Sequence, residues 1–129
     1  MEKVAIDTNI AIAILNGSEN TVNYLRSFHQ IFIPVTVSGE LLFGAHNSKN
    51  TKANLINFRK FIATCHPLSV TNDVAETYAS IRMALKRQGT PIPENDIWIA
   101  AICIENKLPL VTNDKHFHHI QTLITLSPE

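Results

Sequence analysis

The feature that most constrains this chain is a short apolar, β-branched run, Lys3 to Ile6, that stops on an acid, Asp7, and passes directly into the apolar stretch Asn9 to Leu15. The first run suits a strand, and the second, closed by Asn16-Gly17, suits a helix. The alternation then repeats. Ser18 is placed to cap a segment to about Phe28 with Val22 and Leu25 inward, and Ile31 to Val35 reads as a second strand despite Pro34 near its end. Thr36 is placed to cap a helix in which Val37, Leu41 and Ala45 recur at four-residue intervals. Leu55, Ile56, Phe58 and Ile62 give Thr51 to Ala63 a helical pattern, and Pro67 to Val70 is a short third strand. Asn72 or Asp73 opens a helix to Gln88, with Val74, Tyr78, Ile81 and Leu85 on one side and Gly89 as its stop. Beyond the rigid connection Thr90-Pro91-Ile92-Pro93, Asn95 to Asn106 reads as an apolar helix, Pro109 to Val111 as a buried strand and Leu123 to Leu126 as a last strand. Strands alternating with helices predict an α/β fold whose mainly parallel sheet is covered on both faces.

The length of 129 residues suits one domain, residues 1–129. At this size folding buries about two thirds of the unfolded surface, enough for a core without disulfides or a structural metal. Eleven Lys plus Arg balance eleven Asp plus Glu, so the formal net charge is zero. That argues against coating nucleic acid or a membrane through bulk positive charge, while leaving a local site open. Cys65 and Cys103 are far apart, form no C-x-x-C and sit among apolar residues, as buried free thiols in a reducing compartment would. The longest apolar run, Ile97 to Ile104, is well short of the roughly 18 residues of a membrane span, and no signal peptide is visible. A cytoplasmic protein with no membrane partner is expected.

In a sheet of this kind, ligands bind outside the carboxyl ends of the strands. Four acids fall there. Asp7 ends the first strand, Glu40 lies in the first turn or so of the helix after the second, Asp96 lies in the first turn after the proline loop, and Asp114 follows Leu110-Val111-Thr112. Singly, most have ordinary explanations. Asp96 and Glu40 suit a helix N-terminus, worth about 0.3–1 kcal/mol through the macrodipole, and Asp114 suits a turn. Asp7 is different, because it interrupts an apolar junction where a charge without a partner is costly. Two carboxylates about 4 Å apart repel by about 4 kcal/mol at an effective dielectric near 20. No Lys or Arg adjoins Asp7, Glu40 or Asp96, and only Lys115 adjoins Asp114. A divalent cation resolves the conflict, and an all-oxygen set selects Mg²⁺ or Mn²⁺ over zinc. Water on such an ion becomes a nucleophile, so the expected chemistry is metal-assisted phosphodiester hydrolysis.

Ile6-Asp7-Thr8-Asn9, Ser38-Gly39-Glu40-Leu41-Leu42-Phe43-Gly44-Ala45, Asn95-Asp96-Ile97-Trp98-Ile99-Ala100-Ala101 and Leu110-Val111-Thr112-Asn113-Asp114-Lys115-His116-Phe117 occur in this order. In order and spacing they resemble the PIN domain of VapC-type toxins, the ribonuclease halves of bacterial and archaeal toxin–antitoxin pairs. The resemblance implies a three-layer α/β/α fold with a five-stranded, mainly parallel sheet in the order 3-2-1-4-5, and commonly a homodimer. It also implies a Mg²⁺-dependent (or Mn²⁺-dependent) endoribonuclease acting on structured RNA, often tRNA, and neutralised by a cognate antitoxin. In the family the acids matching Asp7, Glu40, Asp96 and Asp114 surround the metal as catalytic residues, and those matching Asp7 and Asp96 are its ligands. Thr8, Asn9 and Thr112 match polar positions that support the carboxylates or position water. Members vary between Asp and Asn at the place of Asp114.

Other candidates carry less. His116, His118 and His119 lack the i, i+4 histidine pair of a zinc helix and have no cysteine near in sequence, so an exposed turn, with His116 or His119 against RNA, fits them better. The basic groups Lys49 with Lys52, Arg59 with Lys60, and Arg82 with Lys86 and Arg87 suit either phosphate contact or, for the last, a helix C-terminus. No G-x-G-x-x-G or G-x-x-x-x-G-K occurs, and the adjacent Cys65 and His66 form no nucleophile arrangement. A haloacid-dehalogenase phosphatase would need a second acid where Asn9 stands, and a receiver domain an Asp where Val70-Thr71-Asn72 closes the third strand. The non-enzyme alternative is a catalytically silent module binding RNA or antitoxin, which the presence of all four acids does not favour. With four acids assigned to a pocket, seven others face eleven Lys plus Arg elsewhere, an acidic centre in a mildly basic surround. Such a charge pattern makes RNA binding metal-dependent and salt-sensitive.

Overall fold

Strand β1 (Lys3–Ile6) forms where the β-branched run predicts, buried from Val4 onward, in a computed structural model that describes residues 2–129. Asp7 both ends β1 and caps helix α1 (Thr8–Leu15), its Oδ1 accepting from the Ile10 amide at 2.9 Å. The helix thus starts one residue earlier than Asn9, because the acid itself satisfies a free first-turn amide. Helix α2 (Glu19–Leu25) is capped by Ser18, as expected.

Strand β2 (Gln30–Pro34) leads directly into α3 (Val35–His46), and here the expected cap fails. Pro34 occupies the cap position, and Thr36 lies inside the first turn with its Oγ1 buried and without a hydrogen-bond partner. Proline carries no N–H to extend the ladder, so the strand ends on it and the helix begins before Thr36 can act. Glu40 consequently falls in the second turn of α3 rather than the first.

Helix α4 (Thr51–Ala63) precedes β3 (His66–Leu68), which is shorter than Pro67 to Val70 because Thr71 already caps α5 (Asn72–Gln88), accepting from the Val74 amide. Gly89, at φ 70°, closes α5 in the left-handed region. Helix α6 (Glu94–Glu105) starts after Pro93, β4 (Leu110–Val111) follows, and a 3₁₀ turn (Lys115–His119) leads to β5 (Thr125–Leu126). Strand β5 excludes Leu123, whose amide is spent on a turn to the Ile120 carbonyl.

The five strands are all parallel, in the order β3-β2-β1-β4-β5, with helices on both faces in an α/β/α sandwich. Helix α6 is the most deeply set of the helices, burying Ile97, Ile99, Ala100, Ala101, Ile102 and Cys103. The chain moves outward from β1 through β2 to β3, then returns to β4 on the other side of β1. That reversal opens a crevice at the carboxyl ends of β1 and β4, where Asp7 and Thr112 lie. Both cysteines are free and buried, and burial pushes the Cys103 thiol far up, so it is no nucleophile at neutral pH. Among the described residues no helix is long and apolar enough to cross a membrane.

Candidate active site

Asp7 is only 4% exposed, and both of its carboxylate oxygens have donors. The Ile10 amide bonds Oδ1, and the Thr112 hydroxyl donates to Oδ2. Burial pushes its pKa up, the two hydrogen bonds oppose that, and the charges of Asp114 and Glu40 push further upward. Thr112 is also buried, and its Oγ1 accepts from the Asp114 amide at 2.9 Å. One hydroxyl therefore ties the end of β4 to the end of β1 and fixes Asp114 beside Asp7.

Glu40 reaches the cleft from α3. Its Oε1 accepts from Thr8 Oγ1 at 2.9 Å and from the Asn95 side-chain amide. The carboxylate is thereby held between the first turns of α1 and α6. By residue type and spacing alone Asn95 carries no role. Its adjacency to Asp96 was the only local hint, since its partner is 55 positions away.

Asp96 is half-buried at the start of α6, and its pKa is raised to about 6. Burial is the largest cause, followed by the negative charges of Asp114 and Glu40; His116 opposes the shift, and Asp7 adds to it. Asp114 caps the 3₁₀ turn through a 2.9 Å bond from the His116 amide. The His116 ring lies over the pair, with Nδ1 3.2 Å from Asp114 Oδ1 and 3.7 Å from Asp96 Oδ2.

All four predicted acids thus line one open cleft of about 250 Å³, together with Thr8, Asn9, Asn95 and His116, and no Lys or Arg lines it. The donor set is oxygen-rich and its acids are in mutual conflict, which is the pattern a hard divalent cation relieves. Ligand atoms of Asp96, Asp114 and His116 all lie within 4.8 Å of one another, a set that does not include Asp7 or Glu40. The residues present therefore fit the metal that the sequence implies.

The remaining sequence candidates lie elsewhere. His118 and His119 are exposed, and His119 borders a separate recess beside Ser80 and Gln88. Arg82 is engaged by Glu94 at 3.4 Å and by the Tyr78 hydroxyl at 2.7 Å. Lys49 and Lys52 flank the start of α4, outside the cleft.

Comparison with known proteins gives the family. The PIN domain model matches residues 4–123. "Ribonuclease VapC2" of Haemophilus influenzae is 31% identical over an alignment of 130 positions that covers 97% of this chain and 97% of that protein. The "tRNA(fMet)-specific endonuclease VapC" of Shigella flexneri is 29% identical over an alignment of 128 positions, again covering 97% of each chain. The solved structure of DNA-bound VapBC from Salmonella typhimurium superposes with a TM-score of 0.91 at 27% identity, covering 100% of both chains. With a family model spanning nearly the whole length, full-length relatives and a sheet edge that gathers all four acids, this chain belongs to the PIN domain family, among the VapC ribonucleases.

Proposed function

We propose that the protein is the toxin of a toxin–antitoxin pair, a metal-dependent endoribonuclease that hydrolyses phosphodiester bonds in structured RNA, with tRNA the favoured class. The observation that carries this reading is the convergence of Asp7, Glu40, Asp96 and Asp114 in one open cleft without a Lys or Arg. The names of the H. influenzae and S. flexneri relatives support the reaction and the tRNA preference. VapBC bound to DNA, as a full-length structural relative, supports assembly with a cognate antitoxin that blocks the site. Residues 1–129 act as one PIN unit, in the cytoplasm and as a homodimer. Exposed Val35 and Phe43 leave apolar surface on α3 for such an interface.

In this reading Asp7 and Asp96 would hold a Mg²⁺ or Mn²⁺ ion, with Asp114 beside them in the same cleft. Such an ion would supply an activated water and offset charge developing on the phosphate. The chain's own residues do the rest. Thr112 and the Ile10 amide keep the Asp7 carboxylate in one orientation, so little reorganisation is needed when substrate arrives. Thr8 and Asn95 both occupy Glu40 Oε1, which leaves Oε2 to take a proton from the attacking water. The open cleft admits a splayed single-stranded segment of a folded RNA.

The test is cleavage of a tRNA pool by the purified protein with Mg²⁺, with chelator, and with added antitoxin, beside Asp7→Asn and Asp96→Asn. Cleavage that needs the metal, stops with antitoxin and disappears in both variants is expected. Equal cleavage by parent and variants would remove the assignment. Intact binding of RNA with no cleavage under any metal would instead favour the silent binding module.

A further inference from the structure

We propose that His116 is itself a ligand of the cleft's cation, through Nδ1, so that the site is a mixed nitrogen and oxygen set that prefers Mn²⁺ or another imidazole-binding transition ion to Mg²⁺. This rests on the metal-dependent reading of the same cleft and names the class of ion.

Geometry is the first support. Two ligands at right angles, each about 2.1 Å from an ion, are about 3.0 Å apart. Nδ1 of His116 stands 3.2 Å from Asp114 Oδ1 and 3.7 Å from Asp96 Oδ2, so all three atoms need only small rotations to share one ion. The second support is how the ring is held. The His116 amide is bonded to the Asp114 carboxylate at 2.9 Å, and the next residue, Phe117, is buried at 1% exposure. His116 is thus fixed by its own amide and by the buried residue that follows it, and it is presented to the acids by backbone structure. The third is exposure. The imidazole is half in water, so neither packing nor burial explains why it faces two carboxylates.

Chemistry turns placement into selectivity. Mg²⁺ favours oxygen donors and its own waters, whereas an imidazole nitrogen raises affinity along the series from Mn²⁺ toward Co²⁺ and Ni²⁺. An ion pair between a protonated ring and the two acids is the competing account of the same distances. The two differ in one observable, whether nitrogen enters the coordination sphere.

Pulsed electron paramagnetic resonance of the full chain loaded with Mn²⁺ decides this. Nitrogen modulation from directly bound imidazole is expected, and it should change character in protein labelled with ¹⁵N-histidine, with His116 the one histidine lining the cleft. His116→Gln should lose the modulation and weaken Mn²⁺ binding by roughly tenfold or more, the scale of loss of a metal-supporting group. Its Mg²⁺ affinity should stay near that of the parent. Labelling needs no substitution, so a variant that folded poorly would not blunt the result. Mn²⁺ that binds the parent tightly without nitrogen coupling overturns this inference and leaves the acidic metal site standing. Failure of the parent to bind Mn²⁺ or Mg²⁺ at all overturns both.

Discussion

Glu94 and Asp96 stand two residues apart in the first turn of α6, yet they belong to regions with opposite electrostatics. Glu94 faces outward into a closed network. Its Oε1 accepts from the Tyr78 hydroxyl at 2.6 Å and meets Arg82 at 3.4 Å, while Tyr78 stacks on Trp98 with ring centroids 3.8 Å apart. Every charge there has an opposite partner at the surface. Asp96 faces inward into the cleft, where its neighbours include Asp7, Glu40 and Asp114 and where only the His116 ring opposes them. One turn of helix therefore carries an acid whose charge is neutralised by the fold and an acid whose charge the fold leaves in conflict. It is the unrelieved one that the proposed reaction uses, since perturbed acids gathered in a cleft are a signature of functional sites.

The largest expected difference between the two regions is catalytic. Asp7→Asn or Asp96→Asn should lower RNA cleavage by more than about a hundredfold, the upper end of what loss of a metal-supporting group costs. Glu94→Gln should leave the rate close to the parent's in the same assay. Comparable losses in all three would erase the distinction.

The link between Asp7 and Asp114 comes next. Thr112→Val keeps the shape but removes the donor to Asp7 and the acceptor for the Asp114 amide. Leaving buried polar groups unpaired costs about 1–3 kcal/mol, readable in urea unfolding. Affinity for Mn²⁺, read by titration calorimetry, should also fall about 10–100-fold. Unchanged metal affinity with lower stability would confine Thr112 to folding.

A pH scan sharpens the contrast at Asp96. Its pKa in the fold is about 6 against an ordinary 3.8, so folding favours the protonated acid. The stability this contributes is fully present below about 3.8 and is lost as pH rises through about 6. Metal-free protein should therefore show a melting temperature that declines across that window, and Asp96→Asn should flatten the decline. Saturating Mn²⁺ or Mg²⁺ at neutral pH should restore the loss, since an ion that binds only the folded state stabilises it. A melting temperature that rises through the same window in the parent alone would contradict the electrostatic account.

The smallest effect belongs to the paired region. The Arg82 and Glu94 side chains are 62% and 65% exposed, so Arg82→Ala should change stability by less than about 1 kcal/mol. Cleavage should be unaffected unless Arg82 also meets RNA, which a salt titration of binding to parent and variant would expose.

Much of this was legible in the chain itself. The β-branched run ending on Asp7, the apolar α6 and the stop at Gly89 are local patterns, and each element formed where its pattern lies. Boundaries moved where one residue serves two elements. Asp7 is a strand end and a cap at once, and Pro34 closes β2 while opening α3, leaving Thr36 without the capping role its residue type suggests. The four acids were legible as a set because the strand-end rule for parallel sheets needs only the order of elements.

The sequence by itself determined the alternation of strands and helices, the α/β class and which four acids fall at one edge of the sheet, since periodicity and residue type act over a few neighbouring positions. Only the tertiary structure decided how those acids are held. Thr112 reaches Asp7 across 105 positions, and Asn95 reaches Glu40 across 55. No local pattern encodes such pairs, because they exist only once the sheet has brought β1 beside β4 and α3 beside α6. The same holds for the fates of Arg82 and His116. The Arg82 cation meets Glu94 and the one imidazole of the cleft is turned onto Asp96 and Asp114, pairings that follow from the path of the backbone in the folded chain.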